Sequence, residues 1–156
     1  MDEETGADDR LAGAPLKVSA SYEGGTADIA RARELTRSFL GQVGSVHGMR
    51  VPEDASGKVQ LVVSELVTNA VKYAPGPCLL DIELLQGCVQ ITVWDGALDL
   101  PVVRASEPDR VGQHGLEIVT ALSRSFEVHR QPAGKRTVAT VPLTGGPAES
   151  AADQRP

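Results

Sequence analysis

Ser64-Glu-Leu-Val-Thr-Asn-Ala-Val-Lys-Tyr-Ala74 sets an unusual group of polar side chains into a segment that is otherwise typical of a core-forming helix. At about 3.6 residues per turn, Glu65, Asn69 and Lys72 fall on one face and Tyr73 lies at its edge. The opposite face is apolar and wide enough to pack on a sheet, since it carries Val59, Val63, Leu66, Val67 and Ala70. The pattern predicts a helix buried on one side that presents a carboxylate, an amide, an ammonium group and an aromatic ring on the other.

The flanking sequence predicts where this helix begins and ends. Pro52 suits the first turn of a helix, and the Pro75-Gly-Pro77 run stops one. Upstream we expect a strand over 16–22 and a helix over about 26–43, with Thr26 or Asp28 available as its cap. A glycine-containing loop over 44–51 would then lead into the central helix.

Strands dominate the second half of the chain. Apolar residues alternate with polar ones over 80–84 and again over 89–94, and Gln86-Gly87 predicts the turn between them. We then expect a long connection over 96–111, a short helix from His114 or Gly115 to about Ser123, and strands over 126–130 and 136–143 around a turn at 132–134. These elements predict an α+β two-layer sandwich, in which a mixed, mostly antiparallel sheet is covered by helices on one face.

Length and composition predict one domain with two tails. The 156 residues suffice for a single core over 15–143, while the acidic segment 1–14 and the Gly-, Pro-, Ala- and Ser-rich segment 144–156 are typical of disordered tails. The net charge of -6 argues against broad binding to nucleic acid or to an anionic membrane. No apolar run approaches ~18 residues and no signal peptide is evident, so we expect a cytoplasmic protein.

The two cysteines, Cys78 and Cys88, flank the predicted hairpin and could face each other. In a cytoplasmic protein, reduced and partly buried thiols are the commoner outcome, and we expect it here. The three histidines show no metal-ligand spacing, so a structural metal site is not expected.

Two further features suggest a ligand site. Period-two alternation places Asp95 on the core side of its strand, where a carboxylate is costly unless donors such as the exocyclic amine of adenine meet it. The alternative is a turn aspartate that reaches solvent beside Gly96. The segment 112–119 places two glycines at the start of an amphipathic helix, whose first N–H groups could bind a phosphate, although glycine is also common there without a ligand.

The polar face of the central helix offers matching chemistry. Asparagine is a poor mid-helix residue, and the side-chain oxygen of Asn69 could bind Mg²⁺, which takes few protein ligands beside waters and phosphate oxygens. Glu65 could orient or deprotonate a nucleophile, Lys72 could reach a phosphate and Tyr73 could pack on a purine. The alternative is an ordinary solvated helix surface.

In this order the three pieces resemble the Bergerat (GHKL) ATP-binding family, which includes gyrases, histidine kinases and anti-sigma-factor serine kinases. Glu65-x-x-x-Asn69-Ala-x-Lys72-Tyr73-Ala resembles the N box of the family. Val93-x-Asp95 through Pro101 resembles its first glycine box, and Gly112-x-x-Gly115-Leu116 resembles its second. Thr137 resembles the threonine that some members place near the phosphates.

Within that family the short chain is most similar to the stand-alone anti-sigma-factor kinases of actinobacteria. The resemblance implies ATP and Mg²⁺ as cofactors and two activities: sequestering a sigma factor, and phosphorylating a serine or threonine of an anti-sigma-factor antagonist (a STAS-type protein). Carried over, Asp95 would read adenine, Asn69 would hold Mg²⁺ and Glu65 would act on the incoming hydroxyl. Further nucleotide contacts would come from Asn69, Lys72, Tyr73, Ala97, Gly112, His114, Gly115, Leu116 and Thr137.

Two departures from the family pattern keep a second function open. Ala97 stands where glycine or serine is usual, and Gln113-His114 stands where Gly-Arg is commoner, so a phosphate-facing arginine is missing. Glu65 favours a serine/threonine kinase, whereas these departures favour a non-catalytic or weakly ATP-binding anti-sigma or interaction regulator. The segment 96–111 is the candidate lid over the phosphates. A homodimer is left open.

Overall fold

The computed structural model describes residues 16–48, 50–74, 76–96 and 111–143. Its elements, in chain order, are β1 (Lys17–Tyr22), α1 (Ala27–His47), α2 (Glu53–Tyr73), β2 (Cys78–Leu85), β3 (Cys88–Asp95), α3 (Val111–Leu122), β4 (Ser125–Gln131) and β5 (Gly134–Pro142). The tails predicted at 1–14 and 144–156, and the interior of the predicted lid, lie outside the described residues.

The five strands form one sheet in the order β1-β2-β3-β5-β4. Every pair of neighbours in it is antiparallel, so the α+β prediction is confirmed, while the parallel pairing implied by a mixed sheet is not found among the described strands. The tight turn at Gln86-Gly87 has positive φ at both residues, 41° and 82°, which matches the twist of an antiparallel hairpin.

The helices cover one face of the sheet, as predicted. α2 packs on β3 and β5, α1 packs on β1 and β2, and α3 packs on α2. All five apolar residues expected on the inner face of α2 are buried, in one cluster with the inward side chains of the sheet. The central helix is therefore fixed directly above the strands that carry Asp95 and Thr137.

Two helix boundaries differ from the prediction. α1 was expected to stop at Val43, but it continues to His47 and ends at Gly48, whose φ of 65° is left-handed. A glycine such as Gly44 costs only about 1 kcal/mol inside a helix, so it did not end this one. α3 begins at Val111 rather than at His114 or Gly115, so the glycines of that segment lie within its first turns.

The two cysteines do not face each other. Cys78 is paired with Asp95 at one end of the β2–β3 hairpin, and Cys88 is paired with Leu85 at the other. Seven residues of extended strand separate the two positions, about 23 Å at ~3.3 Å per residue, far beyond disulfide reach. Both are free and buried.

The described helices include none that is long and apolar enough to cross a bilayer. In the same part of the chain, no three His, Cys, Asp or Glu side chains are grouped so as to share a metal ion.

Candidate functional site

The antiparallel register aligns side chains in rows across the helix-facing side of the sheet. Two successive rows are apolar except for one threonine: Val18, Ile82, Ile91, Ala139 and Phe126, and then Ala20, Leu80, Val93, Thr137 and Val128. The next row, which we call the terminal row, is polar throughout: Tyr22, Cys78, Asp95, Lys135 and Arg130. The polar chemistry of this face is thus concentrated at one end of the sheet.

At the centre of the terminal row, Asp95 and Lys135 form a buried ion pair. The Lys135 Nζ donates to the Asp95 Oδ2 at 2.7 Å, and the two side chains are only 7% and 3% exposed, in that order. The prediction that Asp95 lies on the core side of β3 is confirmed, and the alternative of a solvent-reaching turn residue is wrong. One donor that meets this carboxylate is thus a lysine of the chain itself.

Sequence reasoning missed Lys135, because β5 was expected to begin at Arg136. The signal was nevertheless present: alternation places Lys135 in the same inward register as Thr137, Ala139 and Val141. A lysine in a buried register requires a partner, and a buried aspartate at the end of a neighbouring strand can supply it.

A second buried carboxylate, Asp28, lies in the first turn of α1. It accepts the N–H groups of Gly24 at 2.8 Å and Gly25 at 3.0 Å, and the Arg31 guanidinium donates to it at 2.8 Å. Burial alone would raise its pKa, but these three donors outweigh burial and hold the pKa below its ordinary value. Of the two predicted cap residues, Asp28 makes the contacts, and Thr26 makes no side-chain cap bond.

The β1–β2 end of the terminal row is held neutral. Burial raises the pKa of the Tyr22 hydroxyl, and the charge of Asp28 raises it further. Burial likewise raises the pKa of the Cys78 thiol, with additional contributions from the charges of Asp28 and Asp95. Both shifts favour the neutral forms of these two side chains.

Thr137 lies beside this ion pair. It is buried, it belongs to the row next to the terminal row, and it points to the same face from the strand adjacent to that of Asp95. The structure thus brings together Asp95 and Thr137, two residues predicted separately from segments about 40 positions apart.

The polar face of α2 is more exposed than its apolar face, as the sequence pattern predicted. Glu65 and Asn69 are half-buried, while Lys72 and Tyr73 are exposed at the end of the helix. These four side chains are carried by a helix that packs on β3 and β5, the strands of Asp95 and Thr137. Their individual roles at a nucleotide stay predictions.

The glycine-containing segment occupies the N-terminal end of α3. Gly112, His114 and Gly115 are helical, and Leu116 is half-buried. The first four N–H groups of an α-helix lack intrahelical partners, so phosphate donors at the start of this helix stay a prediction. Ala97 lies outside the described residues.

An open groove of about 590 Å³ runs along the strand ends, within the usual size range of small-molecule sites. Its described lining includes Cys78, Trp94, Asp95, Lys135 and the turn over 131–134, but no residue of α2. Asp95 and Lys135 are thus among the residues that line the groove, and the residues predicted from α2 are not.

Three features can now be compared with known proteins. They are the helix-covered sheet, the buried aspartate at the end of β3 and the polar face of α2. Residues 25–141 match the histidine kinase-like ATPase domain family. The chain belongs to this family. The match covers most of the chain and confirms the GHKL resemblance drawn from the three boxes. A search of curated proteins found no match.

Solved structures of the histidine kinase-like ATPase fold include two useful comparisons. The structure of the RsbU and RsbW domains of Rv1364c from Mycobacterium tuberculosis has a TM-score of 0.60 and 17% identity, and the match covers 81% of this chain and 32% of that one. This chain thus spans about a third of that protein, and the likeness is one of fold. The histidine kinase domain of the Erythrobacter litoralis EL346 blue-light activated histidine kinase has a TM-score of 0.47 and 18% identity, covering 73% of this chain and 62% of that one.

The donor set fits the Mg-ATP expected of a histidine kinase-like ATPase domain. Asn69 is the one predicted protein ligand for the metal, and Mg²⁺ commonly takes its other ligands from phosphate and water. The buried carboxylate of Asp95 is an acceptor suited to an exocyclic amine. Its existing bond to Lys135 is at odds with an open adenine subsite.

Proposed function

We propose that the protein binds ATP with Mg²⁺ and acts as a serine/threonine kinase in a partner-switching system. Its substrate would be a serine or threonine hydroxyl of an anti-sigma-factor antagonist (a STAS-type protein), and it would also hold a sigma factor in the cytoplasm. The observation that carries this proposal is the burial of Asp95 at the end of β3, on the face covered by a helix whose outer side bears Glu65 and Asn69.

Family membership and fold support the nucleotide part of the proposal. The likeness to a structure that contains an RsbW domain supports the partner-switching part. Phosphoryl transfer depends mainly on positioning and on charge stabilisation, so few protein groups are needed.

Each residue has a defined task in this proposal. The Asp95 carboxylate accepts from the adenine amine, and Thr137 lies beside it. The Asn69 oxygen would hold Mg²⁺, which would supply positive charge at the phosphates, and Lys72 would add a further positive charge. The Glu65 carboxylate accepts the proton of the attacking hydroxyl, and the first N–H groups of α3 contact the phosphates.

A second candidate function is a non-catalytic or weakly ATP-binding anti-sigma regulator. The ion pair between Lys135 and Asp95 favours it, because a carboxylate that already holds an ammonium group is a weaker acceptor for a base. In that case the protein would bind its partner without transferring a phosphoryl group to it.

The experiment compares the wild type with Glu65→Gln. Both proteins are incubated with Mg²⁺, γ-labelled ATP and candidate antagonist proteins, and ATP binding is measured in parallel by calorimetry. We expect label on the antagonist with the wild type, a loss of at least 100-fold with Glu65→Gln, and similar ATP affinity in both. Glu34→Gln, an exposed change on α1, is the matched control and should transfer label normally.

Partner binding without label transfer by the wild type would favour the regulator over the kinase. Absence of ATP binding by the wild type at millimolar nucleotide would overturn the nucleotide assignment itself.

A further inference from the structure

We propose that Lys135 sets the affinity of this site for adenine nucleotides by holding the Asp95 carboxylate, so that the amine of the base must compete with the lysine for this acceptor. The inference rests on the proposed function, because it assumes that Asp95 reads the base. It adds an affinity-determining residue that belongs to none of the three family boxes in the sequence.

The geometry makes Lys135 a direct competitor. It is the cross-strand partner of Asp95 in the β3–β5 ladder, and its Nζ lies 2.7 Å from the Asp95 Oδ2. Both side chains are more than nine-tenths buried, and both residues line the groove at the strand ends. A donor of a ligand that binds this carboxylate must therefore compete with the ammonium group for it.

The energetics favour the lysine over a base. A hydrogen bond between two charged groups is roughly twice as strong as a neutral one, and the amine of adenine is a neutral donor. Separating a buried ion pair also leaves two poorly solvated charges, so the ligand must offset that loss with other contacts. Replacing Lys135 by an apolar side chain removes this competitor and leaves the buried Asp95 carboxylate without its ammonium partner, so a donor of the ligand gains more from binding to it.

The neighbouring residue supplies a matched control. Arg136 also carries a positive charge on β5, but its side chain points to the opposite face of the sheet, in register with Trp94 and His129. Arg136→Met changes the net charge by the same amount as Lys135→Met. It leaves the ion pair between Lys135 and Asp95 intact.

The experiment measures the dissociation constants of Mg-ATP and Mg-inosine triphosphate by calorimetry for the wild type, Lys135→Met and Arg136→Met. Inosine triphosphate has an oxygen where ATP has the exocyclic amine, so it cannot use the carboxylate in the same way. We expect Lys135→Met to bind ATP at least tenfold more tightly than the wild type and to bind inosine triphosphate within twofold of it. Arg136→Met should match the wild type for both ligands.

Unchanged or weaker ATP binding by Lys135→Met overturns the proposal, and so does equal tightening for both nucleotides, which would indicate a general loosening of the pocket. If the wild type binds ATP and Lys135→Met binds it no more tightly, only this inference fails. When neither protein binds ATP at any accessible concentration, the proposed function fails with it.

Two further measurements cover the case in which Lys135→Met does not fold. Lys135→Gln keeps a neutral hydrogen-bond donor, and it should tighten ATP binding in the same direction by a smaller factor. In the wild type, saturating Mg-ATP should increase acetylation of Lys135 by an amine-reactive reagent, relative to the exposed Lys17. No change in either measurement would count against displacement of the lysine.

Discussion

The backbone of Gly134 lies so close to the carbonyl oxygen of Asp95 that a β-carbon at position 134 would overlap that oxygen. The same β-carbon would lie 2.8 Å from the Cα of Gly96. Gly134 opens β5 immediately before Lys135. The missing side chain therefore lets the start of β5 approach the end of β3, and this approach places Lys135 opposite Asp95.

Gly134→Ala should destabilise the protein and disturb the ion pair. The nearest obstacles are backbone atoms, which cannot move aside as a flexible side chain can, so we expect a loss of about 2 kcal/mol or more in the free energy of unfolding. Urea unfolding followed by circular dichroism measures it. A change below about 0.5 kcal/mol would contradict the close approach described above.

Gly57→Ala is the matched control, and the opposite sign is expected. Gly57 lies in the interior of α2, and a β-carbon there would meet nothing within 4 Å. Alanine is favoured over glycine inside a helix by about 1 kcal/mol, so this variant should be more stable than the wild type in the same assay.

Asp28 should make stability depend on pH on the acid side. Its pKa is lower in the folded protein than in the unfolded chain, so its contribution is fully present above the unfolded value and is lost as pH falls through the folded one. Asp28→Asn should lose about 1–3 kcal/mol at pH 7, because hydrogen bonds to a charged group are replaced by weaker ones. The difference from the wild type should shrink as pH falls below about 4.

Unfolding free energies at pH 7, 5 and 3 test this dependence. Asp54→Asn provides the control, since Asp54 is exposed and its ion pair with Lys58 spans 3.5 Å on the helix surface. We expect less than about 0.5 kcal/mol from that change at any pH. An Asp28→Asn effect that is equally large at pH 3 and pH 7 would contradict the charge-based account.

The Cys78 thiol should react slowly with thiol reagents. Burial and the two nearby carboxylates raise its pKa, so less thiolate forms at neutral pH, and thiolate is the reactive species. In a Cys88→Ser background, labelling by an aromatic disulfide reagent at pH 8 should be at least tenfold slower in the folded protein than in the same protein unfolded in urea. Equal rates in the two states would show that Cys78 is open to solvent.

Much of the fold follows from local periodicity. The spacing of apolar residues along α2, and the alternation along β2 and β3, depend only on the geometry of a helix and of a strand, so the inward faces could be predicted from the chain alone. The inward register of Asp95 was predicted in the same way. Helix ends were less predictable, because glycine only weakens a helix and tertiary packing decides whether the helix continues, as at Gly44 and Gly112.

By itself, the sequence determined which side of each element is apolar and where the unusual polar residues stand on it, since both properties repeat with the local backbone geometry. Only the tertiary structure decided which of these residues meet. The pairing of Asp95 with Lys135 spans 40 positions and depends on how β5 aligns with β3, and a shift of one residue in that alignment would have turned Lys135 to the other face of the sheet. Long-range register is set by the packing of the whole core, which no local pattern contains.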